Sequence, residues 1–122
     1  MSRNKQTVER YLDGFRKNDH AQILNCLTDD IEWTVYGAFN LTGKEAYDAA
    51  IEGPGFVSPP KLEVVRMVEE GDVVMAEITG SVAVGNENTV MRMTMSEVFR
   101  MRDGLICERR AWVIPLKEND YR

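Results

Sequence analysis

The chain has 122 residues, 43% of them hydrophobic and 29% charged. That suits one globular domain burying about two thirds of its unfolded surface, and it excludes a disordered chain. The formal net charge of −5 offers nothing to a phosphate backbone or an anionic bilayer, so neither nucleic acid nor membrane is expected as a partner.

Val8, Tyr11, Leu12 and Phe15 recur at the spacing of an amphipathic helix, which predicts a first helix over about residues 4–17. Asp19 followed by Gln22 resembles a capping pair and opens a shorter helix with Ile23, Leu24 and Leu27 on its apolar side. Ile31 to Tyr36 reads as a strand. Thr42 with Glu45 repeats the capping-box spacing and predicts a third helix that buries Ala46, Tyr47, Ala50 and Ile51. Gly53, Pro54 and Gly55 end it, and Phe56 to Pro60 reads as a loop.

From Lys61 onward the period changes to two. Turn signals at Glu70–Gly71–Asp72, Gly85–Asn88 and Asp103–Gly104 divide the rest into four strands of an antiparallel meander. Helices placed before a run of strands imply an α+β fold: a strongly curved antiparallel sheet, cone-shaped, packed on three N-terminal helices and enclosing a pocket. Residues 1–122 are read as one domain.

Alternation places Met91, Met93, Met95, Glu97, Phe99 and Met101 on one face of the third of these strands. Val74, Ala76, Ile78, Gly80 and Val82 join them from the neighbouring strand, where small side chains leave room. The methionines serve as core filler or as the wall of an apolar pocket, and Trp33 has the same two readings. Glu97 is the anomaly on this face, since a lone buried carboxylate costs several kcal/mol (about 3–5 when its partner is removed). Its expected partner is Arg110 if the Asp103–Gly104 turn has two residues, or Arg109 if a glycine bulge lengthens it. Either arginine favours the ionised carboxylate, which would then orient a ligand or hold the sheet.

No cluster of His, Cys and carboxylates has ligand spacing, and neither a glycine-rich phosphate loop nor a nucleophile elbow occurs, so no metal and no cofactor are expected. His20, the single histidine, is read as a solvent-facing turn residue. Cys26 and Cys107 are read as free buried thiols. No stretch approaches the roughly 20 apolar residues of a membrane span, and residues 1–6 carry no secretory pattern, so the cytoplasm is the expected location.

Glu9–Tyr11 in the first helix, Thr28–Asp30 before a strand, Leu41–Glu45 before the third helix and Val98–Arg100 before Asp103–Gly104 together resemble the nuclear transport factor 2-like superfamily. The likeness is strongest to its SnoaL-like cyclase and ketosteroid isomerase branches. It implies a curved sheet wrapped around helices, with a cavity between them. It also implies an oxyanion-binding tyrosine at Tyr11 and, at Glu97, the isomerase's neutral acid, a carboxyl kept protonated in an apolar site. The isomerase base falls at Thr34, which cannot abstract a proton from carbon at neutral pH. The cyclase aspartate of the last strand is missing from Trp112–Pro115.

The expected function is binding of a small, mostly apolar molecule. The alternatives are an isomerase, lyase or cyclase acting on a small carbonyl compound, and a non-catalytic dimeric interaction subunit. The candidate catalytic residues are Tyr11, Glu97 and Glu32. The candidate ligand contacts are Trp33, Met93, Met95, Phe99, Arg109, Arg110 and Trp112. A homodimer is expected, formed through the outer sheet face of Arg92, Thr94, Ser96 and Val98.

Overall fold

The computed structural model describes residues 2–52, 58–83, 85 and 89–116. Helix α1 (Arg3–Lys17) starts at Ser2, whose hydroxyl accepts from the Lys5 amide at 3.1 Å, and stops at Asn18 in the left-handed conformation. Its apolar stripe buries Val8, Tyr11 and Leu12 completely. Helix α2 (His20–Leu24) is capped by Asp19, which accepts from the Gln22 amide at 3.0 Å, as the spacing predicts. The two helices meet at Gly14, where a Cβ would stand 2.7 Å from Ile23 Cγ1, so only glycine permits the approach.

Strand β1 (Leu27–Val35) is followed by a second short strand, β2 (Phe39–Thr42), and then helix α3 (Lys44–Ala50). The capping box expected at Thr42 does not form. Thr42 ends β2, and the helix is preceded instead by Gly43 at φ +93°, with no side-chain cap. The Gly43 amide donates to Ile31 O at 2.8 Å, which keeps Thr42 in the ladder and demands a left-handed backbone at the next residue. The expected stop at Gly53–Gly55, and Phe56 of the loop, lie outside the described residues.

Strands β3 (Lys61–Glu70), β4 (Val73–Ala83), β5 (Val90–Arg102) and β6 (Leu105–Leu116) form the antiparallel meander. Of its three turns, Asn86–Asn88 lies outside the described residues. The sheet is curved, unclosed and six-stranded, in the order β2-β1-β6-β5-β4-β3. One expectation is corrected here: β1 runs parallel to β6, so the sheet is mixed rather than wholly antiparallel. Strand β2, helix α3 and strands β3 to β5 lie between β1 and β6 in the chain, and so long a connection allows parallel pairing.

The inner faces of β4 and β5 alternate as the sequence predicts. Val74, Ala76, Ile78 and Val82 are buried with Met93, Met95, Glu97, Phe99 and Met101. All three helices lie before this meander in the chain, and α1 packs against β3, β4 and β6. Cys26 and Cys107 are buried and unpaired.

Candidate functional site

The site is created by a fault in the last hairpin. Partners run Arg102↔Leu105 and Met101↔Ile106, then jump to Arg100↔Glu108, which leaves Cys107 as an extra residue on β6. One added residue inverts the facing of everything beyond it. Arg109, Ala111 and Val113 therefore turn inward, and Arg110 and Trp112 turn outward.

The residue directly opposite Glu97 is Ala111, so neither expected register occurs. The bulge sits within β6 rather than at the turn, and it shifts the pairing the other way. Arg109, opposite Phe99, reaches Glu97 diagonally along the same face. Its Nε donates to Glu97 Oε1 and its Nη2 to Oε2, both at 2.8 Å. Both carboxylate oxygens accept from the guanidinium, the two-point geometry of an ionised pair.

Two phenols complete the cluster. Arg109 Nη1 donates to the hydroxyl of Tyr11 and, at 3.3 Å, to that of Tyr47, and the two hydroxyls bond to one another. Glu97 is 1% and Arg109 8% exposed, so the pair is desolvated and depends on these bonds. Burial pushes the Tyr11 hydroxyl well above its ordinary pKa, with Arg109 opposing, and burial likewise raises Tyr47. Burial works against the charge on Arg109, but Glu97 and the phenols outweigh it and hold the guanidinium protonated.

The guanidinium carbon lies 4.5 Å from the centre of the Trp33 ring and 5.5 Å from that of Phe15, within cation–π range. Trp33 stacks on Tyr47 at 4.4 Å, and Phe39 abuts it edge-on at 5.0 Å. The Trp33 indole Nε1 is buried and has no hydrogen-bond partner among the described residues.

In front of this cluster is a cavity of about 230 Å³. Leu12, Phe15, Trp33, Val35, Phe39, Ile78, Met91, Met93, Met95 and Val113 line it, with Glu97 and Arg109 as its ionic groups among the described lining residues. A wider groove of about 480 Å³ crosses β3, β4, β5 and the end of β6, lined by Lys61, Glu63, Ser81 and Arg92 among others.

The structure thus brings together Tyr11, Glu97, Trp33, Met93, Met95, Phe99 and Arg109. Within that group Tyr11 and Phe99 stand behind the cavity wall rather than on it, their rings 5.7 Å apart. Glu32 is exposed on the outer side of β1 and does not reach the site. Arg110 is half exposed, with its Nε 3.9 Å from Glu108 on the outer face. Trp112 is 39% exposed there and stacks on Tyr36 at 4.7 Å. Both were expected to face the ligand, and the Cys107 bulge turns them away.

Tyr47 is the member of this cluster to which the sequence assigns no site role. It was placed on the buried face of the third helix, and a phenol there must find a partner, which is the signal that could have singled it out. His20 is also more engaged than a free turn residue: Nδ1 lies 2.5 Å from Asp48 and Nε2 2.8 Å from Glu52. These bonds to Asp48 and then Glu52 raise its pKa. Among the described residues no group of His, Cys, Asp and Glu could hold a metal ion, and no helix is long and apolar enough to cross a membrane.

A profile of the SnoaL-like domain matches residues 8–109. No curated protein has a significantly similar sequence. Among solved structures the fold is similar to an NTF2-like protein of unknown function from Burkholderia pseudomallei K96243, with TM-score 0.82 and 21% identity over 91% of this chain and 90% of that one. It is similar to an LEH-like epoxide hydrolase from M. tuberculosis, with TM-score 0.80 and 20% identity over 91% and 82%. It also resembles a protein with a ketosteroid isomerase-like fold from Catenulispora acidiphila, solved with trimethylamine, with TM-score 0.74 and 14% identity over 86% and 82%. At such identities these likenesses establish the fold alone.

Proposed function

As the chain belongs to the SnoaL-like domain family, we propose that it is a binding domain holding a small, mostly apolar molecule in the cavity in front of Arg109. The observation that carries this reading is the lining: an apolar wall of methionines, aliphatics and aromatics, ended by one ion pair. A pocket of this make-up gains affinity from buried apolar surface and orientation from a few fixed polar groups. The volume is below the range of about 300–1,000 Å³ typical for drug-sized ligands, which favours a small molecule.

An isomerase, lyase or cyclase acting on a small carbonyl compound would use Tyr11 as donor and Glu97 or Glu32 as acid or base. Glu97 is bound through both oxygens to Arg109, Tyr11 is turned to the same guanidinium, and Glu32 is exposed. No other carboxylate stands among the described lining residues. Binding is therefore the better supported reading.

The outer sheet face supports self-association. Val98 is already covered there, but Tyr36, Trp112, Ile114 and Met75 remain exposed, an apolar surface of the kind that marks protein contacts. A homodimer is expected by sedimentation at micromolar concentration, and a monomer would contradict it.

The test of binding is thermal stability against a panel of steroids, polyketide-like compounds and small aromatics. A ligand at a hundred times its Kd should stabilise the fold by about 2.7 kcal/mol. A panel in which no compound raises the melting temperature would overturn the proposal.

A further inference from the structure

The polar end of the cavity is short of acceptors. A guanidinium carries five N–H donors. In Arg109 four are placed: Nε on Glu97 Oε1, one hydrogen of Nη2 on Oε2, and the two of Nη1 on Tyr11 and Tyr47. The second Nη2 hydrogen has no partner among the described residues. Trp33, whose ring lies under the same guanidinium, has a buried indole N–H with none either. Buried polar groups nearly always find partners, so an unplaced N–H on each of two residues that line the cavity favours a ligand that brings an acceptor.

The charges narrow its chemistry. Glu97 neutralises Arg109 at 2.8 Å, and no further cation stands among the described lining residues. An anionic head group would thus enter a desolvated site beside a carboxylate with no countercharge of its own. A donor head group would have to share the Glu97 oxygens, each already accepting from Arg109, and would leave the unplaced N–H groups of Arg109 and Trp33 without a partner.

We infer that the cavity selects an uncharged, mostly apolar molecule bearing one hydrogen-bond acceptor, such as a ketone, ester or ether oxygen, seated against Arg109 and Trp33. This rests on the binding reading above and adds the head group to it. Phe39, 40% exposed on edge strand β2, abuts the indole and lines the same cavity.

Three probes of one skeleton test the inference: acetophenone, ethylbenzene and benzoate, titrated into the intact protein and followed by the two indole N–H resonances. Acetophenone should bind about tenfold more tightly than ethylbenzene, the value of one well-placed bond to an otherwise unpaired donor. Benzoate should bind more weakly than acetophenone. Acetophenone should move the Trp33 resonance and leave that of Trp112, on the outer face, in place. In Trp33→Phe, where that variant folds, the preference for acetophenone should shrink; the wild-type indole shifts decide the matter without it. Equal affinity for acetophenone and ethylbenzene would overturn the inference while leaving cavity binding intact. Tightest binding by benzoate, or a shift at Trp112 in place of Trp33, would overturn it as well. Failure of all three probes to bind would remove the binding reading itself, and this inference with it.

Discussion

Glu97 and Arg109 are joined by two 2.8 Å hydrogen bonds although Ala111, not Arg109, stands opposite the carboxylate in the sheet. The contact exists because Cys107 is an extra residue in β6, which brings position 109 to the inner face one step from the glutamate. Removing one partner should therefore cost more than removing both. Glu97→Ala leaves a buried, unpaired guanidinium and is expected to destabilise the fold by about 3–5 kcal/mol. The double variant Glu97→Leu/Arg109→Met should lose much less than the sum of the single losses. Urea melts of the four proteins measure this, and additive losses would show that the pair is not coupled.

Tyr47→Phe deletes a hydroxyl that accepts from Arg109 and bonds to Tyr11. Loss of a bond to a charged group predicts a destabilisation of about 1.5–3 kcal/mol. The same burial governs alkaline behaviour. Tyr11 and Tyr47 have folded-state pKa values raised above 10.0. Their contribution to stability is thus present below pH 10 and lost as the pH rises through the folded values. Absorbance titration should find these two phenols ionising only as the chain unfolds. A Tyr47→Phe variant as stable as the parent would remove the phenol from the network.

His20 joins α2 to Asp48 of α3 and to Glu52 just beyond it. Its pKa is raised above 6.5, first by Asp48 and then by Glu52. The stabilisation should be complete below pH 6.5 and fade as the pH climbs through the raised folded value. The side chain is a third exposed, so the effect is small and screened by salt. Melting temperatures from pH 5.5 to 8.5 should fall more in the parent than in His20→Gln. Parallel profiles would show that the histidine contributes nothing.

The first helix, the meander and the methionine face of β5 were legible because each rests on a local period: four apolar residues at helical spacing around Tyr11, and strict alternation from Met91 to Met101. That an arginine of the last strand would pair with Glu97 was legible for the same reason. Which arginine was not. Nothing in the composition around Cys107 announces a bulge, yet that one residue decides whether position 109 or 110 faces inward, and with it the fate of Trp112. The parallel pairing of β1 with β6 and the short strand β2 are equally non-local: they depend on where the chain returns after α3, which no window of sequence contains. Thr42 and Glu45 had the spacing of a capping box, but the ladder bond from Gly43 to Ile31 overrode local preference.

Trp112 and Trp33 stand on opposite faces of the sheet and should separate two properties. Trp112→Ala removes the partner of Tyr36 and is expected to weaken self-association while leaving cavity ligands bound within about twofold, since surface changes distant from a site are usually near neutral. Sedimentation and ligand titration on the same sample check both. A large loss of ligand affinity with the assembly unchanged would place Trp112 in the site after all.

The most direct test of a ligand-binding cavity is NMR of the methionine methyl groups while small neutral one-ring compounds are added. Met91, Met93 and Met95 line the cavity, whereas Met75 is exposed on the outer face. The expected result is a saturable shift of the first three resonances, with Met75 unmoved. Shifts confined to Met75, or no saturable shift at Met93 and Met95 with any compound, would contradict a binding site in front of Arg109.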